Sequence, residues 1–344
     1  MNKRENWLSQ LENSLPEKAK GNDLSTYSIA LEGWRRGLTL KFYGVYIKAG
    51  RYKIRYSLND GIKEHHFTNS KGDFITKEQG DICKSKSLTN KYLLEAGVPI
   101  PQGRHFNVSA TENEILDYSL SIGFPLVLKP ANESLGRGVV LNIKNVDDLK
   151  EALFYVREKS GYKEVILQQY IKGNEYRVYV IGNEVVGVYK RKAANVIGDG
   201  MRTIKKLIEI KNIERKENPH LYKRLIAIDD KMIKFLSDKG KTIESIPKKG
   251  EEVILREIGN LPNGGDSVDF TDSLSEENKN IAIDGAKAVG MAHCGLDMII
   301  DENNQGKIIE INTRAHIGAH LFPVHGIARD IPGKIIDLYF PNSK

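Results

Sequence analysis

The sequence predicts a mixed α/β (α+β) protein of two or three interwoven subdomains, and three observations carry that prediction. At 344 residues the chain can bury a large core and exceeds the usual size of one domain. Apolar runs of strand length come in pairs around short polar turns, at 176–189 and 296–311. Between them lie stretches with helical character, at 87–96 and within 202–224. Internal repeats and low-complexity linkers are absent, which argues for one interwoven unit.

Residues 1–80 read as a polar first helix followed by strands at Thr39-Leu40-Lys41-Phe42-Tyr43 and Tyr52-Lys53-Ile54-Arg55-Tyr56. Ser87 to Ala96 reads as a helix that ends at Gly97, since Val98-Pro99-Ile100-Pro101 cannot continue it. Phe124 to Pro130, the glycine-containing 131–138 and Val139-Val140 read as strand, loop and strand. Lys129 ends the apolar run, where a charge is costly without a partner, and Gly136 and Gly138 let backbone amides approach an anion. The Gly-Lys-Ser/Thr ending of a P-loop is missing. A glycine hairpin with a snorkelling lysine is the alternative. Val165 to Ile171 reads as an alternating strand. Tyr176–Val180 and Glu184–Tyr189 form a hairpin around Ile181-Gly182-Asn183, with Lys190-Arg191-Lys192 at its far end. The basic run from Arg202 to Arg224 reads as an amphipathic helix with Ile204, Leu207, Ile208 and Ile210 on its apolar side.

The last pair of strands is chemically the most telling. Asp297 in Gly295-Leu296-Asp297 and Glu310 in Ile309-Glu310-Ile311-Asn312 stand on two apolar strands joined by the turn 301–306, so the two carboxylates can face one another. Glu310 and Asn312 alternate onto one strand face, and with Asp297 they supply the hard oxygens that Mg²⁺ takes beside substrate phosphates. A metal and nucleotide site is therefore expected.

Composition narrows the class. Met1-Asn2-Lys3-Arg4-Glu5-Asn6-Trp7 is not a secretory leader, and no run approaches the about 20 apolar residues of a membrane span, so a cytoplasmic protein without a membrane partner is expected. Cys83 and Cys294 are too few for a disulfide framework, and His293-Cys294 reads as core packing. The net charge of +7 comes from interspersed acids and bases without a nucleic-acid motif, which favours an anionic small substrate over nucleic acid.

The order Lys86, Lys129 with its glycine loop, Glu175, Asp297, Glu310 and Asn312 resembles the ATP-grasp superfamily of carboxylate–amine ligases. The chain is most similar to the ATP-grasp module of cyanophycin synthetase, and more distantly to glutathione synthetase and D-alanine–D-alanine ligase. The strings that carry the likeness are Gly97-Val98-Pro99-Ile100-Pro101-Gln102-Gly103, Gly136-Arg137-Gly138-Val139 and Gly173-Asn174-Glu175-Tyr176-Arg177. They continue with Ala194-Asn195-Val196-Ile197-Gly198-Asp199-Gly200, Asn260-Leu261-Pro262-Asn263-Gly264-Gly265 and Arg329-Asp330-Ile331-Pro332. The resemblance implies an ATP-grasp fold, with the nucleotide held between two α+β subdomains. It implies a short N-terminal region at 1–80, a central and lid subdomain at 81–175, and a C-terminal subdomain with the metal site at 176–341.

By the same resemblance, ATP and Mg²⁺, with Mn²⁺ as an alternative, are the cofactors. Lys86 and Lys129 hold phosphates under a loop that includes Ser134, Gly136, Arg137 and Gly138. Gln168, Gln169 and Ile171 lie in the hinge that reads adenine through its backbone, Gln168 replacing a glutamate common there, and Glu175 takes the ribose hydroxyls. Asp297, Glu310 and Asn312 bind the metal, Lys190 or Arg191 reaches the transferring phosphate, and Arg256 steadies an acyl-phosphate. Arg314, His316, His320 and His325 are candidates for substrate contact.

The implied reaction is amide formation between small-molecule carboxylate and amine substrates through an acyl-phosphate, with a homodimer as the implied assembly. D-alanine–D-alanine ligases carry an arginine two residues before the metal aspartate, where this chain has Gly295, which argues against a cell-wall dipeptide ligase. The second ligase module and large N-terminal domain of cyanophycin synthetase have no counterpart in this sequence, so a stand-alone ligase is expected. A ligase for a macromolecular or sugar-acid acceptor, a carboxylate kinase and an inactive nucleotide-binding module remain as alternatives.

Overall fold

The computed structural model describes residues 15–48, 51–133, 137–257, 259 and 261–343. The expectation for Met1–Trp7 lies outside the described residues, as do Ser134, Gly136 and Asn260.

Helix α1 (Leu24–Arg35) precedes a meander of β1 (Thr39–Lys48), β2 (Arg51–Asn59), β3 (Glu64–Thr68) and β4 (Lys71–Gly72), whose order in the sheet is their order in the chain. Leu24, Ile29 and Ala30 on one side of α1 pack on Tyr56, Leu58 and Phe67. Two capped helices follow, α2 (Lys77–Lys84) on a Thr76/Gln79 capping box and α3 (Lys86–Glu95) on Ser85. Gly97, at φ +70°, ends α3 as its left-handed conformation requires.

The next sheet holds β5 (Gly103–Phe106), β6 (Leu126–Pro130), β7 (Val140–Ile143) and β8 (Val165–Gln169) in the order β5-β8-β6-β7. Helices α4 (Glu112–Ile122) and α5 (Val146–Leu153) cover one face. Alternation sends Leu126 and Leu128 into that core and Val127 and Lys129 to the other face, beside Gln168 and Ile166.

The third unit begins with the hairpin β9 (Gly173–Ile181) and β10 (Glu184–Lys192). A small lobe of β11 (Asn195–Ile197), α6 (Ile204–Glu217), α7 (Asp230–Asp238) and β12 (Glu252–Ile254) is inserted before β13 (Asp266–Asp269). Then come α8 (Glu276–Ala288), β14 (His293–Asp301), β15 (Gly306–Asn312), α9 (Gly318–Leu321) and α10 (Ile331–Tyr339). The large sheet runs β13-β10-β9-β14-β15, and the pairings between named strands are antiparallel throughout, so the class is α+β. One face, with Tyr176, Val178, Val180, Leu296, Met298 and Ile308, packs on α8 and α3. On the other face, Tyr179 and Ile181 pack against the N-terminal unit while the remainder is left for a cleft.

Two sequence boundaries move. Ile75, Leu93 and Val98 share a core with the large sheet, so the stretch 75–98 packs with that sheet and not with the 103–169 sheet of the expected 81–175 subdomain. Its other limit, at 175, falls inside β9. The helix read from Arg202 to Arg224 stops at Glu217, where Asn218-Pro219 follow.

The inserted lobe is tied down by a buried charge. Asp266 on β13, fully buried, accepts from Arg215 Nη1 at 2.7 Å, Lys211 Nζ at 2.5 Å and Asn195 Nδ2 at 3.1 Å. Asp266→Ala would leave two cations facing each other in the interior, a loss of about 3–5 kcal/mol in denaturant unfolding. A loss under about 1 kcal/mol would show that the pair is not a structural tie.

Candidate active site

A single rung of the large sheet reads Tyr189, Arg177, Asp297 and Glu310 across β10, β9, β14 and β15. Residues directly opposite one another in antiparallel strands share a face, so all four look into the cleft. A bulge after Asp297, where the pairing passes from Asp297↔Glu310 to Met298↔Ile308, leaves Ile309 unpaired. Ile309 and Glu310 therefore both line the cleft, which strict alternation forbids.

Asp297 is held from two sides. Arg177 grips it with Nε at 2.6 Å and Nη2 at 3.1 Å, Arg191 Nη2 approaches at 2.8 Å, and Asn312 Nδ2 lies at 3.4 Å. Burial alone would raise the Asp297 carboxyl, but the two guanidinium groups hold it below its ordinary value. Arg191 also pairs with Glu175. Burial, with Asp297 and Glu310 adding like charge, raises the Glu175 carboxyl against the pull of Arg191. Glu175, Asp297, Glu310 and Asn312 thus line the same cleft, and their side-chain oxygens are of the hard type that a divalent cation takes, although among the described residues no three acids stand close enough to form a ready-made metal cluster. Asp297 would be shared between such an ion and its arginines.

The sheet of 103–169 forms the opposite wall. Lys129 looks into the cleft from β6, and among the described residues no side chain or carbonyl accepts from its ammonium. Burial, then the nearby charge of Lys86, lowers it to about 8, while Glu310 across the cleft acts in the other direction. Lys86, the first residue of α3, donates to Glu133 O at 2.6 Å and ties that helix to the loop after β6. Arg137 pairs with Glu133 at 3.0 Å. In the hinge, Gln169 N–H donates to Gln102 O and Tyr170 N–H to Pro125 O. Among the described residues the Ile171 amide has no backbone partner, and Ile171 lines the cleft. Together the walls enclose about 650 Å³.

The far end of the cleft carries His220, Arg224 and His316. His316 Nδ1 accepts from Gly318 N–H at 3.1 Å, so its Nε2–H donates to Gly21 O at 2.7 Å. That assignment leaves the ring neutral, as does burial, which lowers it to about 4. Burial, with His316 and Arg224 close by, also pushes His220 down.

Most candidates from the sequence come together here. Lys86, Lys129, Arg137, Gln168, Gln169, Ile171, Glu175, Arg191, Asp297, Glu310 and Asn312 all line this cleft. Gly138, at φ +69°, lies against Pro130 and Tyr162, where a Cβ would stand 2.8 Å from Pro130 Cγ. Lys190 and Arg256 depart from expectation. Alternation along β10 sends Arg191 into the cleft and Lys190 to the opposite face of the sheet, where Tyr176 is its cross-strand neighbour. Arg256 donates to Asp229 Oδ2 at 2.8 Å and Ala227 O at 2.9 Å, so its guanidinium ties the start of α7. In the last loop His316 lines the cleft, whereas His320 is buried beneath Tyr189 and His325 bridges to Val268.

Sequence reasoning gave no role to Arg177, Tyr189, His220 or Arg224. A signal existed for Arg177, which is a lone charge in the apolar run Tyr176–Val180, in phase with Glu175.

Comparison with known proteins settles the family. A profile of the RimK-like ATP-grasp domain matches residues 83–200 and 213–338. This chain belongs to the RimK-like ATP-grasp family. The glutathione biosynthesis bifunctional protein GshAB of Clostridium perfringens is 34% identical over 337 residues, 92% of this chain and 41% of its own length. Cyanophycin synthetase of Crocosphaera subtropica is 32% identical over 270 residues, 76% of this chain and 31% of its own length. The crystal structure of a bifunctional glutathione synthetase from Pasteurella multocida superposes with a TM-score of 0.70 at 28% identity, covering 92% of this chain and 43% of that one. The chain spans less than half the length of these relatives.

The ATP-grasp cleft also explains Gly295. A Cβ there would lie 2.4 Å from Ala315 Cβ and 3.1 Å from Arg177 Cδ, so the close approach of Ala315, with Arg177 beside it, leaves no room for a side chain. Gly295→Ala is expected to cost about 1–3 kcal/mol in thermal unfolding by overpacking. Wild-type stability would show that Ala315 and Arg177 yield to the added methyl group. In lysine-selective NMR, Lys129 should titrate near 8 in the free protein and move upward when Mg-ATP supplies an opposite charge. A free-protein value near the ordinary 10.5 would exclude the buried, anion-less ammonium.

Proposed function

We propose that this protein is an ATP-dependent carboxylate–amine ligase acting on an amino acid, peptide or carboxylated metabolite. One observation carries the reading. The Lys129 ammonium, without a hydrogen-bond partner among the described residues, and the oxygen set of Asp297, Glu310 and Asn312 line one cleft, near enough for Glu310 to act on Lys129. A polyphosphate with a divalent cation satisfies both walls at once. The family and the synthetase names of the relatives support the same reading.

In the proposed reaction a substrate carboxylate oxygen attacks the γ-phosphorus and the bond to ADP breaks. An amine nitrogen then attacks the acyl carbon, and inorganic phosphate leaves as the amide forms. Phosphoryl transfer of this kind depends on positioning and charge neutralisation, so the site needs no nucleophilic triad. Lys129 and Lys86 would neutralise phosphate oxygens, the Ile171 amide would read adenine, and Arg191, paired with Glu175 and Asp297, would turn to the transferring group. Glu310, Asp297 and Asn312 would hold a divalent cation, which would supply charge neutralisation to the polyphosphate. Cytoplasmic operation and a homodimer belong to the same proposal and rest on the resemblance.

The test is ADP release from Mg-ATP with pooled amino acids and carboxylated metabolites, followed by mass spectrometry. A product lighter than its two substrates by one water is the expected result, with Glu310→Gln lowering turnover by about 10²–10³-fold. ADP without such a product would replace the ligase by a kinase. Unchanged turnover in Glu310→Gln would remove Glu310 from the metal site.

A further inference from the structure

The far end of the cleft holds a cation that nothing in the phosphate or metal site requires. Arg177 and Arg191 are neutralised by Asp297 and Glu175, and Arg137 pairs with Glu133. Arg224 also lines the cleft, and among the described residues no carboxylate pairs with it. Its donors go to neutral groups: Nη1 to His220 O at 2.6 Å and His220 Nδ1 at 2.9 Å, and Nη2 to Asn22 Oδ1 at 3.1 Å. Burial lowers the Arg224 guanidinium and Tyr189 acts against it, but an arginine stays charged throughout the working range. A desolvated guanidinium facing a cavity without a counter-ion is energetically costly unless an anionic ligand completes it.

The arginine is also pre-positioned. Arg215, held by buried Asp266, donates through Nε and Nη2 to the Arg224 carbonyl at 2.9 and 2.7 Å. Asn218 Nδ2 donates to Phe322 O at 3.2 Å, and Gly21 N–H donates to Pro219 O at 2.9 Å. The loop from α6 to α7 is thus fastened to the N-terminal segment, to the 313–326 loop and to α6, so little ordering remains to be done when a ligand arrives. The adjacent rings add no competing charge, because His316 has both nitrogens occupied within the protein and His220 is buried and neutral.

We propose that Arg224 is the specificity-determining anchor for a free carboxylate of the substrate, one that does not react and lies at the end of the cleft away from Lys129. This inference rests on the ligase reading and sharpens it. The chain would select a substrate bearing a second carboxylate, such as the α-carboxylate of an amino acid or the C-terminus of a peptide. An ester, an amide or a neutral sugar would be refused.

The experiment is thermal-shift titration of the full chain in Mg²⁺ and a non-hydrolysable ATP analogue, with common L-amino acids and dipeptides, each as free acid and as α-carboxamide. At least one free acid is expected to stabilise the wild type while its carboxamide does not. In Arg224→Gln that acid should bind about 10- to 100-fold more weakly with the nucleotide shift unchanged, and Arg224→Lys should recover part of the loss. Equal binding of acid and carboxamide, undiminished binding in Arg224→Gln, or no shift from any acid would overturn the proposal. Absence of the nucleotide shift in the wild type would instead sink the ligase reading beneath it.

Discussion

Asp297, buried between Arg177 and Arg191, is the interaction from which the rest of the cleft follows. A carboxylate taken out of water in the middle of a sheet needs counter-charge, and these two arginines supply it, Arg177 from the adjacent β9 and Arg191 from β10 beyond it. Arg177, with the closer Ala315, crowds Gly295, and the second contact of Arg191 places Glu175. The bulge that follows Asp297 brings Glu310 onto the same face. The acid cluster is accordingly a property of strand register, fixed by the apolar residues on the reverse of the sheet, since a slip by one residue would bury every charge.

Charge in the cleft is arranged by what is left unneutralised. The arginines nearest the acid cluster are paired, while Lys129 at one end and Arg224 at the other have no acidic partner among the described residues. A cleft with cationic ends and an acidic middle suits a ligand that is anionic at its ends and able to bring a divalent cation to the centre. The facing walls belong to different sheets with separate cores, and the site draws residues from both.

The inserted lobe and the N-terminal unit are remote from Lys129 in sequence and fold, yet they set the far end. Asp266 holds Arg215, Arg215 holds the Arg224 backbone, and Asn22 and Gly21 engage Arg224 and His316 from the other side. Substrate choice in this arrangement is decided by loops clamped from several elements, and the phosphate and metal ends by residues on regular strands. The first can diverge without disturbing the second.

The sequence by itself determined the local elements and the donors they carry. Apolar runs on either side of the 301–306 turn were enough to place Asp297, Glu310 and Asn312 on strands, and Gly97 with its prolines was enough to end α3, because those signals reside in neighbouring residues. Tertiary structure decided which charges meet. Arg177 and Asp297 are 120 positions apart, so nothing local could pair them. The Arg256 guanidinium is taken by Asp229 from another element, and the amphipathic helix expected through Arg224 ends at Glu217, so that Arg224 lies on a loop that lines the cleft. A side chain's chemical type and strand phase are written locally, whereas its counter-charge and its burial depend on what the rest of the chain brings to it.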